Sequence, residues 1–461
     1  MTVSLVIPEA LLREIQAAAN LSMETAGVLL AGVAHAPTGD FRLLARQIRW
    51  VADAAYISRE WDSLLIRPEG YVNALAEAET IGAVCIWIHT HPGDGSSPIP
   101  SKHDRVVDQQ IAELFRIRSN SPYYGTLIFS PKSSELNFTG QLEHEDGTLL
   151  PIERMWQVGN KWHLTRAFDS NLPELPDIFD RNVRAFGSAI QQTLGDLRVA
   201  VIGCGGTGSS VAEQLVRLGV RYLTLIDPDH VSQSNLTRVY GSTAPDVGRP
   251  KCQVLAGHLG AIAPELQCKT LQSMLTMEQT ARQLLGCDIV FGCTDDNAGR
   301  LVLSRLASYL LTPVIDCGVL LSSNPDGELT GINGRVTILS TGQACLICRG
   351  RIDLRRAAAE LLTPDERLRL EDEGYAPALA RTEPAVVTFT TLVAATAVSE
   401  LLERLIGYGP KVRPSEILLR CHEREISTNE ALPVDGHYCD PFRGKIGIGM
   451  TEPFLEQTWP A

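Results

Sequence analysis

Between Arg198 and Arg238 the chain reads RVAVIGCGGTGSSVAEQLVRLGVRYLTLIDPDHVSQSNLTR, and no other stretch limits its fold as strongly. The apolar run at residues 199–202 is short and rich in β-branched side chains, as in a buried parallel strand. Gly203, Gly205 and Gly208 come next as G-x-G-x-x-G, with Gly206 inside the same turn. Val211, Leu215 and Leu218 then recur at helical spacing. The N-terminus of such a helix offers unpaired N–H groups and the positive end of a dipole, so it is a ready anion site. A second strand over residues 222–226 ends at Asp227, 19 residues beyond Gly208. Nucleotide-binding folds place a ribose-gripping carboxylate there. The stretch is therefore predicted to be a nucleotide-binding βαβ unit in a Rossmann-like, doubly wound sheet.

The glycine pattern alone also fits a nicotinamide or flavin oxidoreductase, but the residues beyond it point elsewhere. After Asp227 come Asn235 and Arg238 in SNLTR, Lys251 in DVGRPK, and Asp295 in CTD. From about residue 179 to the C-terminus this resembles the ubiquitin-activating enzymes and their bacterial ThiF/MoeB-type relatives, the adenylyltransferases of sulfur-carrier proteins. The resemblance implies ATP as substrate and Mg²⁺ as its metal. Gly203, Gly205, Gly206 and Gly208 would line the nucleotide, and Asp227 would hold the ribose with Asn235 beside it. Arg238 and Lys251 would contact phosphates, and Asp295 would carry Mg²⁺. Arg181 and Arg184 form R-x-x-R ahead of the nucleotide strand. The resemblance implies that one of them, best matched by Arg184, reaches into the partner's site of a homodimer.

The N-terminal part carries a different chemistry. Glu24 leads into an apolar strand, and 65 residues later His89 and His91 sit at i and i+2 on another, which points both imidazoles to one side. Ser101 and Asp104 stand at the opening of a helix expected to bury Val107, Ile111 and Leu114. Ser101-x-x-Asp104 by itself also reads as a capping-box helix start. The set E-x-x-G-x-L-x-x-G with H-x-H-P and S-x-x-D resembles the JAMM/MPN (JAB) metalloproteases, which are deubiquitinating-type isopeptidases with a cytidine-deaminase-like α/β fold. The resemblance implies Zn²⁺ on His89, His91 and Asp104 with a fourth position for water. It further implies Glu24 as general base and Ser101 as oxyanion donor. The interval from His91 to Asp104 is about two residues longer than the family pattern. The extra length falls in the Gly/Ser/Pro-rich loop at residues 93–100.

Three regions are expected along the 461 residues: a metalloprotease domain over 1–165, a linker over 166–178 and an adenylyltransferase domain over 179–461. The linker segment FDSNLPELPD combines two prolines and three acids with no helical or strand period. In the last region, strands at residues 313–316 and 334–339 are expected to alternate with helices. A helix beginning at Pro384 is expected to run through Leu405 to a stop at Gly407. Cys345 and Cys348 form C-x-x-C. By resemblance they would share a structural Zn²⁺ with Cys439, His437 replacing the fourth thiolate and Cys421 with His422 as the competing pair.

A net charge of −13 gives no basic footprint for nucleic acid or anionic membrane. The N-terminus lacks a basic segment followed by a long apolar one. The eleven cysteines are scattered, so a cytoplasmic protein without a disulfide framework is expected. Taken together, the two resemblances imply a bifunctional enzyme that processes or deconjugates a ubiquitin-like protein and adenylates its C-terminus in a bacterial ubiquitination-like pathway. The alternatives are activation and processing of a sulfur carrier in biosynthesis, and a non-catalytic scaffold that binds a ubiquitin-like protein. A conjugating enzyme or a sulfur donor would be the further partner. Residues 349–383 contain no cysteine, so the acyl group is expected to pass from the adenylate directly to a thiol or sulfur donor on another protein.

Overall fold

The structure is a computed structural model, which describes residues 2–460 apart from 94, 134, 169–173, 327, 363–364, 367–368 and 370–383. Part of the expected linker, 169–173, and the end of the cysteine-free interval, 370–383, lie outside the described residues. Two compact units are present. One comprises Met1–Asn171 with Tyr309–Leu311 and Lys445–Thr451; the other comprises Leu172–Ser308, Thr312–Gly444 and Glu452–Ala461.

The first unit is a mixed α/β structure. It runs β1 (Val3–Pro8), α1 (Glu9–Ala19), β2 (Ala26–His35), β3 (Phe41–Trp50), β4 (Tyr56–Arg59), β5 (Leu64–Ile66), α2 (Glu69–Ile81), β6 (Val84–Thr90), α3 (Lys102–Ser119), β7 (Tyr123–Lys132), β8 (Glu135–His144), β9 (Leu149–Val158) and β10 (His163–Arg166). Eight strands form one sheet in the order β1-β3-β2-β6-β7-β8-β9-β10, and β1 also pairs with β9, which closes the sheet on itself. β4 and β5 form a separate hairpin. Side chains alternate across a strand, so one set from β2 and β6 (Leu29, Ala31, Ile86, Ile88) packs with Leu5, Leu43 and Phe129. The other set (Val28, Leu30, Cys85, Trp87) packs with Ala78 and Phe115 of α2 and α3. Strands covered on both faces read as near-continuous apolar runs, as VCIWI does in β6.

The buried face of α3 differs from expectation. Ala112, Phe115 and Ser119 are buried, Val107 and Ile111 are partly so, and Leu114 is exposed. Phe115 decides the rotation: its ring packs edge-on against Trp87 and Tyr124. Burying such a side chain is worth about 1.5–3 kcal/mol, and its edge-on aromatic contacts add about 0.5–1.5 kcal/mol that a leucine could not make.

The second unit runs α4 (Asp180–Phe186), α5 (Ser188–Asp196), β11 (Arg198–Ile202), α6 (Gly206–Arg217), β12 (Tyr222–Ile226), α7 (Lys251–Ile262), β13 (Gln267–Leu271), α8 (Glu278–Arg282), β14 (Ile289–Gly292), α9 (Asn297–Tyr309), β15 (Val314–Ser323), β16 (Leu329–Leu339), α10 (Leu354–Glu360), α11 (Val387–Ile406), β17 (Glu416–Arg420) and β18 (Glu425–Asn429). The sheet order is β13-β12-β11-β14-β15-β16-β17-β18. The first five strands are parallel and the last three antiparallel. The Rossmann-like half is thus as expected, but β15 and β16 form a long antiparallel hairpin with no helix between them. The turn chemistry at Asn324-Pro325 wins: Asn324 Oδ1 accepts from Glu328 N–H at 2.8 Å, which folds the chain straight back. The long helix starts at Val387 rather than Pro384 and ends, as expected, on Gly407 in the left-handed conformation. Among the described residues no helix is long and apolar enough to cross a membrane.

Candidate metal and nucleotide sites

In the first unit, strand pairing assembles one cluster. β2 and β6 are antiparallel with Ala26 opposite His89, so the ladder continued outward sets Glu24 opposite His91. Thr90 N–H donates to Thr25 O and Thr25 N–H donates to Thr90 Oγ1, each at 3.0 Å, which carries the pairing past the end of the strand. Glu24 Oε1 lies 3.8 Å from His91 Nε2. Asp104 arrives from the start of α3. Its Oδ1 is 3.5 Å from His89 Nε2 and its Oδ2 3.9 Å from His91 Nε2. Ser101 caps that helix: its Oγ accepts from Asp104 N–H at 3.1 Å, while Asp104 Oδ2 accepts from Ser101 N–H at 2.7 Å. The capping reading and the ligand reading are therefore compatible, because the cap aims the carboxylate at the imidazoles. Ser101 Oγ still has its own proton to donate.

These groups fit a metal ion. His89 Nε2 is buried with no hydrogen-bond partner, a costly state for a ring nitrogen unless a metal takes its lone pair. His91 Nδ1 is 2.7 Å from Ser97 O, which fixes the ring and leaves Nε2 as the ligating atom. A tetrahedron with bonds of about 2.0–2.2 Å has edges of about 3.3–3.6 Å. The 3.5 Å and 3.9 Å separations lie close to that. Burial lowers the His91 pKa, favouring the neutral imidazole that a metal requires. For Asp104 burial acts upward, but the adjacent His89 imidazole and the hydrogen bonds from Ser101 outweigh it and hold the carboxyl below its ordinary range. Burial pushes Glu24 up to about 7, the range of a useful general base.

In the second unit, the glycine turn sits at the switch point between β11 and β14, where the strand order reverses and α/β folds bind ligands. Gly203 adopts φ +88°, and a Cβ there would come within 2.6 Å of Cys293 O. A Cβ on Gly208 would lie 1.7 Å from Gly203 O, so only glycine lets α6 close onto the strand. Over Gly205 the space is open to 4 Å, which leaves the backbone approachable by a phosphate. Arg238 lies against Gly206, its Cδ 3.3 Å from where a Cβ would stand. Asp227 is buried and accepts from Cys204 N–H at 2.6 Å and Asp229 N–H at 2.8 Å. Lys251, at the start of α7, pairs with Asp229 at 2.7 Å. Cys293 N–H donates to Ile202 O, which brings the exposed Asp295 to the same crevice.

Asn235 is buried and engaged in a turn, its Oδ1 accepting from Ser232 N–H at 3.0 Å. Arg181 and Arg184 are exposed on α4, and Arg184 pairs with Asp180 one helical turn away.

A second metal-like cluster joins Cys345, Cys348, His437 and Cys439. His437 Nδ1 is 3.5, 3.3 and 3.3 Å from the sulfurs of Cys345, Cys348 and Cys439, and Cys348 and Cys439 are 3.6 Å apart. A zinc tetrahedron with Zn–S of about 2.3 Å has edges of about 3.5–3.8 Å, so the donor set fits one. The hydrogen bond from Cys439 lowers the Cys345 thiol to about 5. His422 instead bonds to Ile332, leaving the competing pair outside the cluster. We expect one tightly held zinc here. Cys348→Ser should lose it and weaken the second unit by about 3 kcal/mol, lowering its unfolding temperature by roughly 6–12 °C in calorimetry. Unchanged melting with unchanged metal content would count against the site.

Other residues carry no sequence signal. Glu360, at the end of α10, accepts from Asn297 N–H at 2.7 Å and Ala298 N–H at 2.8 Å, capping α9 beside Asp295 from 63 residues away. Arg300 and Arg335 pair with the fully buried Asp316 at the edge of the same crevice.

Comparison with known proteins matches the ThiF family to residues 179–434, more than half of the chain. The sulfur carrier protein ThiS adenylyltransferase of Escherichia coli is 34% identical over 160 residues, covering 34% of this chain and 60% of the relative. Molybdopterin-synthase adenylyltransferase of Escherichia coli is 29% identical over 172 residues, covering 37% and 65%. The tRNA threonylcarbamoyladenosine dehydratase of Bacillus subtilis is 36% identical over 129 residues, covering 28% and 50%. The chain thus spans less than two thirds of the length of each of these relatives. Among solved structures, E. coli MccB with ATP aligns over 57% of this chain and 73% of its own at 18% identity, with a TM-score of 0.43. On the extent of the family match and the fold and glycine turn beneath it, the chain belongs to the ThiF family.

Proposed function

We propose that this chain is an ATP-dependent adenylyltransferase for the C-terminus of a ubiquitin-like or sulfur-carrier protein, fused to a JAMM-type zinc isopeptidase acting on the same C-terminus in the cytoplasm. The observation that carries the first half is the open backbone over Gly205, with Arg238 lying against the adjacent Gly206, in a ThiF-family chain. The protein carboxylate attacks the α-phosphorus of ATP, the bond to the bridging oxygen breaks, and pyrophosphate leaves. Arg238 and Lys251 hold the charge of the triphosphate. Asp227, whose two oxygens accept from the Cys204 and Asp229 N–H groups, holds the ribose. Asp295 would hold magnesium, which when bound would supply charge neutralisation at the leaving group. Arg184 acts across a dimer.

The second half rests on the gathering of His89, His91 and Asp104 at metal-ligand separations, with His89 Nε2 buried and facing Asp104. Those three would hold zinc, which when bound would supply Lewis-acid polarisation. Glu24 takes the proton of the attacking water and passes it to the leaving amine, and Ser101 donates to the developing oxyanion. Such a protease exposes the terminal carboxylate that the other half consumes.

A conjugation pathway is one setting. The sulfur-carrier setting is favoured by the named substrate of the sulfur carrier protein ThiS adenylyltransferase. In either, the acyl group passes from the adenylate directly to a thiol or sulfur donor on a second protein: the C–S bond forms, the acyl–phosphate bond breaks and AMP leaves. The test is pyrophosphate exchange into ATP. Exchange is expected only when a carrier with a free C-terminal carboxylate is present, and exchange that ignores the carrier, or never occurs, would overturn the reading.

A further inference from the structure

Glu24 lies just before β2, where β3, ending at Trp50, no longer runs beside it. Its backbone is held instead by the β4–β5 hairpin. Glu24 N–H donates to Glu60 O at 2.9 Å. Arg59 Nε donates to Glu24 O at 2.7 Å, and its Nη2 donates to Thr25 Oγ1. Arg59 Nη1 lies 3.2 Å from Asp53 Oδ1, and the guanidinium sits 4.8 Å from the centre of the Tyr56 ring. The Tyr56 hydroxyl in turn accepts from Ala26 N–H at 3.0 Å. All three nitrogens of a rigid planar fork are thus engaged, and the side chain is only 17% exposed.

From this geometry we infer that Arg59 is a positioning residue for Glu24, fixing the base through its main chain while its guanidinium stays off the carboxylate. The inference rests on the zinc-isopeptidase reading of the first unit. A guanidinium paired with the carboxylate itself would stabilise its charge and blunt it as a base. Here the fork's partners are the Glu24 carbonyl, the Thr25 hydroxyl and Asp53, while Glu24 Oε1 lies nearest His91 Nε2 at 3.8 Å. Removing the fork leaves the Glu24 carbonyl without this donor and frees residue 24 to shift. A misplacement of about 1 Å at a reacting group costs roughly 10²-fold in rate.

The test compares Arg59→Ala, Arg59→Lys and Glu24→Ala in the full chain. The probe is a sulfur-carrier protein whose C-terminal glycine bears an aminocoumarin amide. Arg59→Ala should keep wild-type zinc content and lose roughly 10²-fold in kcat with KM nearly unchanged. Arg59→Lys, which restores one donor, should recover part of the loss. Independently of activity, hydrogen exchange at the amides of residues 24–26 should accelerate at least about tenfold in Arg59→Ala, as a locally opened segment does. Unchanged exchange, or unchanged kcat alongside an inactive Glu24→Ala, overturns the inference while leaving the isopeptidase reading standing. A wild-type chain as inactive as Glu24→Ala overturns the reading, and the inference with it.

Discussion

Replacing Asp295 by asparagine is expected to reduce carrier-dependent pyrophosphate exchange by at least about 10²–10³-fold, the range seen when one preorganised charge-stabilising group is removed. Asp295 is exposed immediately beyond β14, whose end is tied to β11 by the hydrogen bond from Cys293 N–H to Ile202 O. Its carboxylate is therefore presented at the crevice rather than committed to the fold. The neighbouring Asp296 is the opposite case. It caps α9, accepting from Gly299 N–H and from the Thr294 hydroxyl. Asp296→Asn keeps an acceptor for that cap and should retain most of the exchange activity. Equal loss in both variants would mean that the effect comes from the helix start and not from a metal ligand. Retained activity in Asp295→Asn would remove this residue from the site.

The second large effect is expected at Glu24. Glu24→Ala should leave zinc bound at His89, His91 and Asp104 and lower cleavage after a C-terminal glycine by about 10²–10⁴-fold, the contribution of a positioned general base. The variant leaves the proposed ligands and the capping box on Asp104 intact, so metal content and helix stability should not move. His89→Ala should do the reverse and lose metal first. Elemental analysis paired with the cleavage assay separates the two. Full activity in Glu24→Ala, or loss of its metal, would contradict the role of a base that does not ligate.

The sequence alone was enough to locate the nucleotide turn, because its requirements are local. Gly203 needs positive φ and Gly208 needs to meet a carbonyl oxygen, and both demands leave a mark at fixed spacing. The i, i+2 histidines are legible for the same reason: His89 lies on β6 and His91 on its extended continuation, where His91 N–H donates to Phe129 O, and a period of two is a property of extended backbone. The C-x-x-C pair and the helix stop at Gly407 belong with them.

What depended on distance along the chain was decided only by the fold. Glu24 and His91 meet because the register of β2 against β6 is fixed by burial of both strands. The sequence offered His437 and the Cys421–His422 pair as alternative completions of the cysteine cluster, and chain folding beyond β18 selected His437. The rotation of α3 followed Phe115 and not the aliphatic spacing: the ring is buried edge-on against Trp87, and Leu114 is left in solvent. Arg59 and Glu360 had no local signature at all. A guanidinium that grips a main-chain carbonyl, or a carboxylate that caps a helix 63 residues away, leaves no periodicity, because the partner is a backbone group that every residue possesses.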